Sequence, residues 1–406
     1  MKSTVLAFAA LTAAGVSARP FETIALVDSL DFATYYDIET DQGNLQVLDH
    51  VMRNHCTDIW WRDKSGGKMR YPSVVEGWPI TETPFVKTRL PCEDAWGYLR
   101  LDAPRANPFP LISDECRRRG LKFGIHTTTE ENHWCSQLCS NWTLEHPQYW
   151  TCTLSGVPFM GISSYAYPEV IDHKLAMLDE RLKLGGTTIF LDTWRNGDWS
   201  ANREYVKPNL DEWERRYRCA PPTDSNDPRW IEIVERHVED YIRRFSAKCR
   251  AANVRFVIGV HFIDGKGDLR GRSRAGFDWR KLAAEGVFDG VAPLSVVWSD
   301  KDPFGETLRL YRYVREVCGA KADAYFPVSA YDFYRYGIPS YAKATKLSKA
   351  DVVRRLMDLA WEAGGRGVTF ECVDYGNYSD AECRAIAEML EKFKTVPSGG
   401  RGSAQP

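Results

Sequence analysis

The chain has 406 residues and a formal net charge of −2, from 53 basic and 55 acidic side chains. This balance creates no attractive field for the phosphates of nucleic acids or for anionic membranes, so neither is expected as a partner. Aromatic residues make up 13% of the chain, with 14 Trp and 19 Tyr. Rings with a polar edge stack on sugar faces as well as filling cores, so the composition is compatible with a carbohydrate site.

Residues 1–18 have the pattern of a secretory signal peptide. Lys2 precedes a short apolar stretch that runs to Val16, and small residues follow at the spacing of a cleavage site after Ala18. The apolar stretch is too short to cross a bilayer, and no later stretch approaches ~18 uninterrupted apolar residues. We therefore predict a secreted or periplasmic mature chain that begins at Arg19.

Eleven cysteines in an exported chain indicate that some form disulfides, because oxidising compartments preserve these bonds. The odd number leaves at least one cysteine free or paired with another molecule. We predict at least one disulfide in the mature chain, without a defined connectivity.

Apolar strand-like runs alternate with helix-like periodic segments eight times along the chain. The predicted strands are Thr23–Val27, Asp58–Arg62, Leu121–His126, Thr187–Thr193, Arg255–Val260, Gly290–Val297, Ala324–Ser329 and Gly367–Glu371. Pro168 and Pro228 stand at first-turn helix positions, Ser348 precedes another helix, and Ser379 with Glu382 forms a capping box before the last. This alternation predicts a single-domain α/β fold, a (β/α)8 TIM barrel over residues 19–395, ahead of a doubly wound open sheet.

The extra length of the chain follows the second, third and fourth predicted strands. These segments cover residues 63–110, 127–167 and 196–226, whereas the loops that precede strands are short. In a parallel barrel, long loops after strands collect on one face and build a substrate cleft there. The tail at 396–406 has few apolar residues to bury and is predicted to be disordered.

Polar side chains stand at the end of each predicted strand, where the face of a parallel barrel carries its chemistry. In chain order they are Asp28 and Asp31; Arg62 and Asp63; His126, Glu130 and Glu131; Asp192, Trp194 and Arg195; His261 and Asp264; Trp298 and Asp300; Ser329, Tyr331 and Asp332; Glu371 and Asp374. Acids that converge with rings, His and Arg make the kind of cleft that sugars occupy. As substrate-binding residues we predict Arg62, His126, Trp194, Arg195, His261, Trp298, Tyr331 and Asp374.

Asp192 is the first catalytic candidate, because it ends a buried apolar run where an ionised carboxylate is costly unless paired. A turn or capping role is the structural alternative. Cleavage of a glycoside also needs a protonated acid, and the apolar neighbours of Glu371 favour its neutral form. The fourth and eighth strands lie opposite each other, which favours a wide, inverting pair. Asp300 and Glu130 are alternative partners.

A metal site is a second possibility for the third long loop. This region contains His126, His133, Cys135, Cys139, His146 and Cys152. The four-residue spacing of Cys135 and Cys139 differs from the tight pair of a zinc ribbon, and export favours disulfides. We therefore predict no cofactor and no metal, and keep a metal-dependent hydrolase as an alternative.

Several motifs stand in a fixed order along the chain: Tyr35-Tyr36-Asp37, Trp61-Arg62, Met69-Arg70-Tyr71-Pro72-Ser73, Arg119-Gly120-Leu121-Lys122, His146-Pro147, Ser164-Tyr165-Ala166-Tyr167-Pro168-Glu169-Val170 and Phe190-Leu191-Asp192. This order resembles the glycosyl-hydrolase-like family ten proteins, a group of bacterial barrel enzymes. Relatives typically have Asp-Gly before the strand that ends in Asp192, where this chain has Gly185-Gly186-Thr187. The resemblance implies a (β/α)8 fold and activity on a glycoside.

The leading hypothesis is therefore an exported glycoside hydrolase that cleaves a polysaccharide or oligosaccharide with paired carboxylates. A barrel that binds carbohydrate without cleaving it is the main alternative, because the second carboxylate is ambiguous.

Overall fold

The computed structural model describes residues 20–28, 36, 38, 40–65, 67–76, 107–129, 140–193, 201–263, 276–330, 337–370 and 378–395. The strands are β1 Glu22–Val27, β2 Asp58–Arg62, β3 Lys64–Ser65, β4 Lys68–Met69, β5 Lys122–Thr128, β6 Trp150–Cys152, β7 Pro158–Ser163, β8 Thr188–Asp192, β9 Arg255–Ile263, β10 Gly290–Val296, β11 Asp323–Pro327 and β12 Gly367–Phe370. The helices are α1 Asp41–Arg53, α2 Phe109–Arg119, α3 Asn141–Glu145, α4 Pro168–Arg181, α5 Lys207–Tyr217, α6 Pro228–Ala251, α7 Trp279–Glu285, α8 Pro303–Cys318, α9 Ile338–Thr345, α10 Lys349–Glu362 and α11 Asp380–Thr395.

Eight parallel strands close into a barrel in the order β1-β12-β11-β10-β9-β8-β5-β2. The first and last strands pair directly, from Glu22 opposite Gly367 to Ala25 opposite Phe370. The predicted (β/α)8 TIM barrel is therefore confirmed. Two short antiparallel hairpins, β3-β4 and β6-β7, lie within the long segments that follow β2 and β5.

The apolar core has two parts, because alternate residues of each barrel strand face opposite sides. One set fills the barrel interior: Ile24, Leu26, Trp60, Phe190, Val257, Ala292, Leu294 and Tyr325. The larger set lies between the strands and the surrounding helices. Six of the eight barrel strands therefore present apolar side chains to both faces, which explains the continuous apolar runs in the sequence.

The indole of Trp60 occupies the middle of the barrel. It stacks on Phe190 with ring centroids 4.9 Å apart and meets Tyr325 edge to face at 5.7 Å. On the neighbouring strand, a Cβ added to Gly124 would lie 2.6 Å from Cδ1 of Trp60. Position 124 is glycine because the indole takes the space that a side chain would need.

The helix-start signals of the sequence are confirmed where the structure describes them. Helices α4 and α6 begin at Pro168 and Pro228, and the Ser348 side chain accepts a hydrogen bond from the backbone N–H of Asp351 at the start of α10. At the start of α11, the Ser379 backbone N–H donates to Glu382 Oε2 at 2.8 Å, which forms the predicted capping box.

Charged residues close the end of the barrel where the strands begin. The buried Glu22 carboxylate accepts hydrogen bonds from Lys122 at 2.7 Å, Arg366 at 2.7 Å and Tyr325 at 2.8 Å. Burial alone would raise the pKa of Glu22, but the hydrogen bond from Lys122 and the charge of Arg366 lower it overall. In the TIM barrel this end serves stability rather than catalysis.

Seven cysteines within the described ranges are free thiols: Cys56, Cys116, Cys152, Cys219, Cys249, Cys318 and Cys383. The four others, Cys92, Cys135, Cys139 and Cys372, lie outside the described residues, as do the predicted signal peptide and tail. The predicted disulfide therefore stays a prediction. Among the described helices, none combines the length and apolar character needed to cross a membrane.

Candidate active site

A polar layer follows the apolar layer of the barrel interior toward the carboxyl ends of the strands. Leu26, Trp60 and Phe190 fill the interior. Two positions further along the same strands stand Asp28, Arg62 and Asp192, and His126 lies between the last two on β5. Because side chains alternate along a strand, the same periodicity that fills the barrel places these four polar groups at its mouth.

The imidazole of His126 contacts the carboxylate of Asp192 at the ends of two adjacent strands. His126 Nε2 lies 3.2 Å from Asp192 Oδ2, and the Asp192 side chain is fully buried. An ionised carboxylate only accepts hydrogen bonds, so Nε2 carries the proton in this contact. The remaining ring nitrogen, Nδ1, is buried and has no hydrogen-bond partner among the described residues.

Arg62 and Asp28 form a buried ion pair beside this contact. The guanidinium of Arg62 on β2 meets the carboxylate that directly follows β1, and the Arg62 side chain is fully buried. Arg62 stands opposite His126 in the pairing of β2 with β5. The mouth therefore has two buried carboxylates, each with a cationic or hydrogen-donating partner from the neighbouring strand.

Burial lowers the pKa of His126 below its ordinary value, and the nearby charge of Arg62 lowers it further. The hydrogen bond and negative charge of Asp192 oppose this shift, together with the charge of Asp28, but only in part. His126 is therefore neutral at physiological pH. A neutral ring that donates from Nε2 orients Asp192 without cancelling its charge, and leaves Nδ1 as an acceptor.

The structure brings together three of the predicted site residues, Arg62, His126 and Asp192. Two others lie beyond β10: Asp300 is exposed, and Trp298 is half-buried with its ring against Tyr341, 4.7 Å between centroids. That contact joins Trp298 to the core between the barrel and the helices, and its predicted role in sugar binding stays a prediction. His261 lies within β9. The predicted residues Glu130, Trp194, Arg195, Tyr331, Glu371 and Asp374 lie outside the described residues.

Asp28 belongs to the site, although the sequence marked it only as one of many acids at strand ends. Its pairing with Arg62 could not be read from the sequence, because the two residues are 34 positions apart. The sequence contains one signal for this site. Because alternate residues of a strand share a face, Asp28 lies on the same face as Leu26, and Arg62 lies on the same face as Trp60.

Within the described ranges, no group of three or more His, Cys, Asp or Glu side chains is placed to hold a metal ion. Of the six residues considered as ligands, His133, Cys135 and Cys139 lie outside the description. His146 instead stacks on Trp142 at 4.4 Å, and Cys152 donates to the Tyr205 carbonyl at 2.9 Å.

No protein-family model matches the chain. A search of curated proteins also finds no match. The resemblance to glycosyl-hydrolase-like family ten proteins therefore stays a prediction.

Two solved structures share the fold of this chain. The glycoside hydrolase domain of PgaB (BpsB) from Bordetella bronchiseptica is 14% identical, with a TM-score of 0.56, and the match covers 90% of this chain and 98% of that domain. Alpha-L-fucosidase isoenzyme 2 from Paenibacillus thiaminolyticus is 13% identical, with a TM-score of 0.55 over 93% of this chain and 49% of the fucosidase. This chain thus spans about half of the fucosidase. Identities this low establish a common barrel fold.

Proposed function

We propose that this protein is an exported glycoside hydrolase that cleaves a polysaccharide or oligosaccharide. The observation that carries the proposal is the fully buried carboxylate of Asp192, held by His126 at the end of a barrel strand. Burying a charged group costs free energy, so a fold keeps one only where it has a use. Asp192 lies at the face of the barrel where TIM-barrel enzymes have their catalytic residues, which favours a catalytic use. The two barrels with the same fold, named for a fucosidase and a glycoside hydrolase domain, support the reaction class.

In the proposed reaction, Asp192 is the ionised carboxylate and His126 keeps it oriented. The proton donor is Glu371, the first carboxyl group of the sequence after β12. Strands β8 and β12 are four steps apart in the eight-stranded barrel and so face each other across it. A separation across the barrel leaves room for a water between the two carboxyl groups. Asp192 then acts as the general base on that water, and the product has inverted stereochemistry.

A carbohydrate-binding barrel without turnover is the second candidate. The internal pairing of the mouth residues favours it, because Asp28 is paired with Arg62 and Asp192 with His126. Such a network is also what a rigid recognition surface requires.

The test is turnover of a panel of polysaccharides and aryl glycosides by the wild-type protein and two variants. Asp192→Asn keeps the shape of the side chain and removes its charge, so we expect activity to fall by about a thousandfold or more, or ~4 kcal/mol. Asp302→Asn is the matched control, because Asp302 caps α8 and asparagine caps equally well. Proton NMR of the first product formed reports whether the anomeric configuration is inverted.

Binding of a saccharide with no release of reducing ends by the wild-type protein would support the binding-protein candidate instead. Activity of Asp192→Asn within tenfold of wild type would remove Asp192 from the reaction.

A further inference from the structure

Four consecutive residues at the end of β5 have a buried polar atom with no hydrogen-bond partner among the described residues. The atoms are Nδ1 of His126 and Oγ1 of Thr127, Thr128 and Thr129. None of the four residues is more than 4% exposed. Buried polar atoms are nearly always paired in folded proteins, because an unpaired one costs free energy. A run of four therefore calls for a reason at each position.

The residues of this run divide between the two faces of β5. Alternate residues of a strand share a face, so Thr128 shares the face of His126, which contacts Asp192 inside the barrel. Thr127 shares the opposite face with Ile125, which packs between the barrel and the helices. A threonine on that outer face needs no polar role, because its β-branched side chain suits a buried strand. The hydroxyl that the strand presents to the barrel interior is that of Thr128.

Thr128 stands beside the proposed base. In the pairing of β5 with β8, Thr128 is opposite Asp192. His126 is opposite Phe190, one inward-facing position deeper in the barrel. Neighbouring strands lie about 4.8 Å apart, so opposite residues are side by side. His126 therefore contacts the Asp192 carboxylate from the interior side, and the Thr128 hydroxyl lies on the side of the mouth.

A water that attacks a glycoside is held in one orientation when it has two partners. It donates one hydrogen to the carboxylate that acts as general base, and its other hydrogen requires a second acceptor. The free nitrogen of His126 is unsuited to this task, because Nδ1 points away from the side of the ring that contacts Asp192. The hydroxyl oxygen of Thr128, next to that carboxylate in the strand pairing, has two lone pairs and can accept.

We propose that Thr128 holds the water that Asp192 activates. This role rests on the proposed function and adds to it the residue that orients the nucleophile. Thr128 Oγ1 accepts one hydrogen of the water, and the other passes as a proton to Asp192 while the water oxygen bonds to the anomeric carbon. The bond from that carbon to the leaving oxygen breaks, and the leaving oxygen takes a proton from Glu371. Thr128 keeps its own proton throughout.

The experiment compares the steady-state kinetics and the melting temperatures of the wild-type protein and three variants. The substrate is the one that the wild-type protein hydrolyses fastest in a panel of polysaccharides and aryl glycosides. Thr128→Val keeps the branched shape and removes the hydroxyl, whereas Thr128→Ser keeps the hydroxyl. Thr127→Val is the matched control, because Thr127 is a buried threonine of the same strand whose hydroxyl also has no described partner, on the opposite face.

We expect Thr128→Val to lower kcat by about 10- to 100-fold with KM within about twofold of wild type, because the substrate still binds while the water is poorly oriented. Thr128→Ser should recover most of that loss, and Thr127→Val should change neither constant. Neither valine variant should melt at a lower temperature than wild type, because valine places no unpaired hydroxyl in a buried site. A loss of kcat without a loss of melting temperature separates this role from a structural one.

A kcat of Thr128→Val within about threefold of wild type would overturn the proposal. A higher KM with an unchanged kcat would also overturn it, by making the hydroxyl a contact to the substrate instead of to the water. Equal losses in the two valine variants, or a lower melting temperature of Thr128→Val, would assign the effect to packing. A wild-type protein that hydrolyses no saccharide would refute the proposed function together with this role, whereas an active wild type with an equally active Thr128→Val refutes the role alone.

Discussion

His126 Nε2 lies 3.2 Å from the Asp192 carboxylate, and through this contact two neighbouring strands fix one charge at the mouth of the barrel. In the proposed reaction His126 is a positioning residue, because it would act on the substrate through Asp192.

We expect His126→Ala to lower kcat by about 10- to 100-fold with little change in KM, since it removes one buried hydrogen bond of ~1.5–3 kcal/mol to a charged group. His126→Gln should restore much of the rate, because its amide N–H can replace the Nε2 donor. The pH profile of kcat/KM provides a second readout. The acid limb of that profile is expected to change when the donor is removed, whereas a purely structural role predicts equal losses in both variants and an unchanged profile.

The identity of the proton donor can be tested by leaving-group dependence. If Glu371 protonates the departing oxygen, Glu371→Gln should suppress hydrolysis of unactivated saccharides far more than that of aryl glycosides with good leaving groups. Asp300→Asn should be mild, because Asp300 is exposed beyond β10. The opposite ranking would assign the acid to Asp300, which follows a strand only two steps from β8 in the barrel order and would make a closer pair.

At the other end of the barrel, Asp58 should make stability depend on pH. Burial, together with the charge of Glu22, raises the pKa of Asp58 from its ordinary value of 3.8 to about 6. The folded chain therefore holds a proton that the unfolded chain has lost, so stability decreases as pH rises from about 4 to about 6. Asp58→Asn removes this loss, and we expect it to raise the free energy of unfolding by about 1–3 kcal/mol at pH 7 and by little at pH 4.

Urea unfolding at both pH values measures this difference. Asp114→Asn is the matched control, because the Asp114 side chain is 73% exposed in a pair with Arg117. A stabilisation by Asp58→Asn that is the same at pH 4 and pH 7 would contradict the assignment.

The packing of Trp60 against β5 predicts a steric effect. Gly124→Ala should lower the free energy of unfolding by about 2–4 kcal/mol, because the new Cβ would lie 2.6 Å from the indole. Gly120→Ala is the comparison: that glycine has a φ of 73° and no atom within 4 Å of an added Cβ, so only backbone strain of about 1 kcal/mol is expected. Thermal melts compare the two variants. Equal losses of stability would show that the Trp60 indole moves to make room for the added methyl group.

For the mature protein, we predict a secreted product that begins at Arg19 and contains at least one disulfide. The seven described cysteines are free thiols, so the bond should involve one or more of Cys92, Cys135, Cys139 and Cys372. Intact mass after alkylation, with and without prior reduction, counts the thiols that reduction releases. An unchanged count would refute the disulfide.

Most of the fold could be predicted from the sequence, because buried parallel strands leave continuous apolar runs such as the one that ends at Asp192. The eight predicted strands match the barrel strands within three residues at each end. The hairpins β3-β4 and β6-β7 were not predicted, since strands of two to six residues inside long polar segments have no periodicity of their own.

The residues of the candidate site could be predicted from the sequence, but their contacts with one another could be predicted only in part. Asp192, His126 and Arg62 were recognisable because strand ends converge in a barrel. Their contacts depend on strand register, which is a property of the closed sheet. The contact between His173 and Glu76 was not predictable, because the two residues are 97 positions apart and belong to different βα segments.

The pairing of β1 with β12 also has a consequence for biosynthesis. The ring of strands cannot close until residue 370 has left the ribosome, so a nascent chain that already contains the other seven strands has two open sheet edges. Open edges are templates for pairing with other chains. A chain released before β12 should therefore aggregate rather than settle into a smaller barrel.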